Sequence, residues 1–133
     1  MSRPKFVYLD TSAFVKLAVP EPETPALERE LPSYGEAFAS DLLAIEARRV
    51  GGRLGSDAAA SLERLLADVS LVSISQRIRD LAATLPPPGL RTLVAIHLAT
   101  AIAAGVERTT LLTYDTRLAD AAQLAGLRVE APT

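Results

Sequence analysis

Short, unbroken apolar runs alternate along this chain with segments whose apolar residues recur at helical spacing. Phe6-Val7-Tyr8-Leu9 is the first run, and its continuity predicts a strand covered on both faces. Ala37-Phe38-Ala39, Leu71–Ile74, Thr110–Tyr114 and Arg128-Val129-Glu130 are the further strand candidates. Between them, a short helix is predicted over 13–17 behind Thr11-Ser12, and another from Thr24-Pro25 to about Leu31, ended by Pro32. Ser40-Asp41 caps the next helix. Leu42, Leu43 and Ile45 are expected to anchor it in the core, and Gly51-Gly52 to end or loosen it. Later helices run from Ser56 to about Ala67, from Ser75 or Gln76 to Leu85, from Thr92 to Ala104 and from Thr116 to Leu124. Pro86-Pro87-Pro88-Gly89 is a firm break, and Gly105 and Gly126 close the last two helices. Strand and helix in alternation predict an α/β fold, a mostly parallel sheet with helices on both faces.

That pattern places two acids at the ends of buried strands. Asp10 follows the first apolar run and Asp115 follows Leu111-Leu112-Thr113-Tyr114. In an α/β sheet the carboxyl ends of strands open onto the crevice where ligands bind. Each aspartate also has a plain role as the cap of the helix behind it. Two in equivalent places favour a site. Glu46 lies in the third predicted helix with Arg49 on the same face, and as a local pair the two would contribute about 0.3 kcal/mol. His97 is the single histidine, in the most apolar helix, where a packed or hydrogen-bonded role is expected ahead of a catalytic one.

Composition narrows the classes. The 133 residues fit one domain with a real core, and 49% of them are apolar. The absence of cysteine excludes disulfides and thiolate metal sites, and fits a reducing cytoplasm. A net charge of −2 excludes bulk electrostatic attraction to nucleic acid. Local patches remain open, since Arg48, Arg49, Arg53, Arg64, Arg77, Arg79 and Arg91 gather in the middle of the chain. Met1-Ser2-Arg3-Pro4-Lys5 runs straight into a strand without a leader's apolar stretch. Residues 93–106 come closest to a membrane span, but they are too short and carry His97 and Thr100, so no membrane association is expected.

Four segments in order then carry a resemblance. They are Leu9-Asp10-Thr11-Ser12-Ala13, Ser40-Asp41-Leu42-Leu43-Ala44-Ile45-Glu46, Leu90-Arg91-Thr92-Leu93-Val94-Ala95-Ile96-His97-Leu98-Ala99-Thr100-Ala101 and Leu112-Thr113-Tyr114-Asp115-Thr116-Arg117-Leu118. Together, over essentially the whole chain, they resemble the PIN-domain ribonucleases, in particular the VapC toxins of bacterial toxin–antitoxin modules. The resemblance implies a single PIN domain over 1–133, a three-layer α/β/α sandwich with a central sheet of about five strands. It implies hydrolysis of RNA phosphodiester bonds at an acidic site holding Mg²⁺ or Mn²⁺. Such hard cations suit carboxylate ligands, and they relieve repulsion among them. By motif, Asp10 is the first acid, Glu46 the second and Asp115 the fourth. The third acid falls at Val94, a vacated ligand position, which puts the activity of this chain in doubt because valine neither ligates a cation nor accepts a proton.

The same resemblance implies that Ser12 and Thr113 hold an acid or a metal-bound water, with capping and strand-edge hydrogen bonds as their alternative. It makes Arg49 a candidate phosphate contact. It also implies a VapB-like antitoxin, an RNA substrate and a homodimer, for which Phe14, Leu17 and Leu27 are candidate contacts if they are not core. Two other readings stand beside this one. A catalytically dead PIN domain would serve as an antitoxin- or RNA-binding module. An unrelated phosphatase or receiver domain would use Asp10, although Asp10-Thr11-Ser12 lacks the second aspartate a phosphatase needs and the chain lacks a receiver's acidic pair.

Overall fold

The computed structural model describes residues 5–133. Met1–Pro4, part of the segment read above for a leader, lie outside them. Five strands form one sheet: β1 (Phe6–Leu9), β2 (Glu36–Ser40), β3 (Ser70–Val72), β4 (Thr109–Leu112) and β5 (Arg128–Glu130). Their order is β3-β2-β1-β4-β5, and every neighbouring pair is parallel. The helices are α1 (Thr11–Ala18), α2 (Thr24–Glu30), α3 (Leu42–Leu54), α4 (Ser56–Leu66), α5 (Gln76–Thr84), α6 (Thr92–Ala103) and α7 (Thr116–Leu124), with a 3₁₀ turn over Leu31–Ser33.

The strand order explains how distant acids meet. The chain steps outward from β1 to β2 to β3, then crosses back to β4 and on to β5. Right-handed crossovers put the connections of these two journeys on opposite faces. The packing agrees: α1 touches α2, α3 and α4, whereas α6 touches α5 and α7. β1 and β4 are neighbours whose connections leave in opposite directions. Their carboxyl ends therefore splay apart into a crevice. Leu9 pairs with Leu112 in register, so Asp10 and Thr113 emerge side by side at its mouth.

The central strands are apolar because both their faces are covered. Val7, Tyr8, Leu9, Leu111 and Leu112 are all buried. Phe14, Leu27, Leu43, Leu62, Leu98 and Leu118 pack on them from the two helical layers. Phe14 and Leu27 are fully buried, which assigns them to the core rather than to a partner surface; Leu17 is half-buried. Among the described residues no helix is long and apolar enough to cross a membrane.

Two local expectations fail for physical reasons. Ile45 does not anchor α3: it is 60% exposed, and the helix rests on Leu43, Ala47 and Gly51 instead. Gly51-Gly52 does not end the helix, which continues to Leu54 and turns at Gly55 with φ of 112°. Gly51 is there for packing. A Cβ at Gly51 would lie 2.9 Å from the Ala59 Cα and 3.1 Å from its Cβ, so its bare backbone lets α3 and α4 lie close together. Predicted strands 71–74 and 110–114 each end two residues early, at Val72 and Leu112, which leaves Thr113 and Tyr114 in the loop that leads to Asp115.

Candidate functional site

Asp10 and Asp115 both cap helices, and for Asp10 the cap is only part of its bonding. The Asp10 carboxylate accepts the Ala13 N–H at 3.0 Å, as an N-cap should. Two hydroxyls add to it. Ser12 Oγ lies 2.7 and 2.9 Å from the two carboxylate oxygens, and Thr113 Oγ1 donates to Oδ2 at 2.6 Å. Both hydroxyls therefore hold an acid. They also receive the backbone that enters α7: Tyr114 N–H donates to Ser12 Oγ at 2.9 Å and Asp115 N–H to Thr113 Oγ1 at 3.0 Å. The ends of β1 and β4 are thus tied into one cluster. Asp115 itself accepts from the Arg117 and Leu118 N–H groups through Oδ1.

Asp10 is 4% exposed. Burial pushes its carboxyl above the ordinary aspartate range, against the hydrogen bonds from Thr113, Ala13 and Ser12, which pull it down. Glu46 goes the other way. Burial raises it, but hydrogen bonds from His97 and Thr11 outweigh that, and its carboxyl sits below the ordinary glutamate range. The expected local partner Arg49 makes no ion pair with Glu46. Instead His97 Nε2 and Thr11 Oγ1 each lie 2.7 Å from Glu46 Oε1. Arg49 is exposed on α3, and its neighbour Arg48 is engaged by Glu63.

His97 is packed and hydrogen-bonded, as expected; what sequence reasoning missed is its partner. Tyr8 and Thr11 were missed altogether. A signal for Tyr8 did exist, since a phenol in an otherwise aliphatic buried strand has to find a hydrogen-bond partner. Thr11, next to an acid at a strand end, carried no such mark.

Val94 lies one helical turn before His97 on α6, and so on the same face. It packs against the core and lines a pocket with Leu90 and Arg91 on its own side and Arg117, Asp120 and Leu124 on α7. Asp10, Glu46 and Asp115 offer only oxygen ligands, which suits a hard divalent cation. Their geometry does not form such a centre. Among the described residues no three Asp, Glu or His side chains come within reach of one ion. Asp115 is turned to its helix, Glu46 to His97 and Thr11, and α6 contributes an apolar side chain to this face.

Comparison with known proteins agrees with the fold and the order of these segments. Residues 7–124 match the PIN domain family. Ribonuclease VapC46 of Mycobacterium tuberculosis is 46% identical over 127 residues, covering 96% of this chain and 98% of that protein. Ribonuclease VapC35 of the same species is 40% identical over 130 residues, covering 95% and 96%. Among solved structures, a toxin–antitoxin complex from Klebsiella pneumoniae superposes with a TM-score of 0.73 at 22% identity, covering 96% of this chain and 98% of that one. VapC20 of Mycobacterium tuberculosis, described as a sarcin–ricin loop cleaving toxin, gives a TM-score of 0.71 at 18% identity, covering 96% and 99%. VapBC2 from Rickettsia felis, solved on a DNA fragment of its promoter, also gives 0.71, at 16% identity with 96% and 99% covered. The chain belongs to the PIN-domain family, among the VapC ribonucleases of toxin–antitoxin systems.

Proposed function

We propose that this chain is a VapC-type, RNA-directed PIN domain whose own hydrolytic step is lost or much reduced at Val94. The observation that carries this reading is the contrast between the two sides of the crevice. On one side Ser12 and Thr113 hold the Asp10 carboxylate, and the Asp115 backbone N–H is tied to Thr113. On the other, α6 carries a valine where the family resemblance calls for a third acid. Asp10, Glu46 and Asp115 are the acids that would hold Mg²⁺ or Mn²⁺, and Val94 withholds the ligand that would complete the set. Asp10 itself is a buried carboxylate that burial raises and the Thr113, Ala13 and Ser12 hydrogen bonds pull down.

RNA is the proposed ligand. Arg91 and Arg117 flank Val94 in one pocket, and neither takes part in an ion pair among the described residues. Free guanidiniums suit the phosphates either side of a cleavage point. They are better placed for this than Arg49. A VapB-like antitoxin is the proposed partner. Ile45, next to Glu46 in the chain, Leu93, next to Val94, and Leu124, in the pocket with Val94, are exposed, and such side chains suit anchoring contacts from an antitoxin segment or from a second copy in a homodimer. The proposed place of action is the cytoplasm.

The test is cleavage of a pool of cellular RNAs by this chain and by Val94→Asp, with Mg²⁺, with Mn²⁺ and with chelator. The expected result is metal-dependent cutting by the variant and little or none by the parent. A parent that cuts as fast as the variant contradicts the role given to Val94. If both bind RNA or an antitoxin but neither cuts, the chain is a binding module.

A further inference from the structure

We propose that Tyr8 and His97 are positioning residues: a buried hydrogen-bonded relay from β2 through both side chains fixes the Glu46 carboxylate in the site. This rests on the reading that Glu46 belongs to an RNA-cleaving centre. The relay begins at the Ser40 N–H, which donates to Tyr8 Oη at 3.0 Å. Tyr8 Oη lies 2.5 Å from His97 Nδ1, and the relay assigns the phenol proton to that bond. The imidazole is then the Nε2–H tautomer, and it donates to Glu46 Oε1 at 2.7 Å. Thr11 donates to the same oxygen. Among the described residues Oε2 receives no hydrogen bond, so one carboxylate oxygen is anchored and the other is left for a ligand.

The rings cannot turn away from these partners. Tyr8 is fully buried and His97 is 5% exposed. Tyr8 stands edge-on to His97, with centroids 5.7 Å apart, and edge-on to Phe38 at 5.2 Å. The relay also spans the molecule. α3 and α6 lie in opposite helical layers, and the His97–Glu46 bond joins them across the carboxyl edge of the sheet. A helix glutamate left to itself samples many rotamers and pairs with a neighbour such as Arg49. A Tyr–His pair serving packing alone would need no acid at its end, and apolar side chains would fill that space without buried polar atoms to satisfy.

The sole histidine makes the test direct, because ¹⁵N labelling of histidine reports one ring. The expected signature is a protonated Nε2 and an unprotonated Nδ1. Tyr8→Phe should move chiefly the Nδ1 resonance and Glu46→Gln chiefly the Nε2 resonance. In crystal structures, Glu46 should leave Thr11 in His97→Leu and return in His97→Gln, whose amide can donate in place of Nε2. In the Val94→Asp background, His97→Leu should lower kcat roughly tenfold or more with little change in KM, as loss of a ligand's supporting partner does elsewhere, and His97→Gln should recover part of it. A proton on Nδ1, resonances blind to Tyr8→Phe and Glu46→Gln, or a Glu46 unmoved in His97→Leu overturns the relay. Undiminished kcat in His97→Leu overturns its role in positioning. If Val94→Asp cuts no RNA, the proposed function fails, while the ring signature and the glutamine rescue still decide the relay.

Discussion

Asp10 and Glu46 are both carboxylates of one crevice, yet their surroundings push them in opposite directions, and stability should record the difference. Asp10 is raised by burial. As pH climbs, the unfolded chain gives up that proton before the folded one does, so stability is lost through the interval above the ordinary aspartate range. Above the raised value the full penalty remains. Asp10→Asn keeps an acceptor for Ala13 and removes the charge. The variant should melt a few degrees above the parent at neutral pH, and the gain should fade as pH falls into the carboxylate range. A difference in midpoint that ignores pH would contradict this. Glu46 has the reverse sign. It is lowered because the donors His97 and Thr11 outweigh burial, so its contribution is present above the ordinary glutamate value and is lost as pH falls through the lowered one. Glu46→Gln should therefore lower the neutral-pH midpoint.

At the scale of elements, α3 depends on a glycine. Gly51 lets α4 approach until a methyl group at that position would stand 2.9 Å from the Ala59 Cα. Backbone is in the way, so neither helix can yield by turning a side chain. Gly51→Ala should cost about 1–3 kcal/mol in denaturant unfolding despite the gain in helix propensity, as overpacked cores do. Gly52→Ala, which meets nothing within 4 Å, should be neutral or stabilising. The sequence could not separate these two glycines, because a helix breaker and a helix–helix contact look alike until the partner helix is placed. The same limit explains Ile45: local pattern put it inward, but α3 shows its small residues to α4 and leaves Ile45 to solvent. What was legible was anything set by local spacing. Strand β5 and helix α7 fall where the pattern put them, and so does Asp10 at the end of β1, whereas a two-residue loop separates Asp115 from β4. The Glu46–His97 bond joins residues 51 apart in sequence, through two crossovers, and no local pattern carries that information.

The whole molecule is mildly acidic, so the proposed hold on RNA would have to come from a few basic side chains. Arg91 and Arg117 are the pair the pocket beside Val94 offers. Removing either should weaken RNA binding whatever the sequence. It should also flatten the dependence of log affinity on log salt, by roughly 0.7 for each single-strand phosphate that is no longer neutralised. Arg48, already paired with Glu63, is the control that should leave that slope unchanged. Topology gathers the rest. One reversal of strand order brings residues near the two ends of the chain to one crevice, and the proposed relay across the sheet edge would set the second acid, Glu46. The third place, Val94, is apolar, and the proposed function turns on it. Calorimetric titration of Mn²⁺ into this chain and into Val94→Asp, without RNA, tests it most directly. Val94→Asp should bind one ion per chain at least about tenfold more tightly than the parent, since losing even a ligand's supporting partner costs about that much. Equal affinity in the two proteins would contradict it.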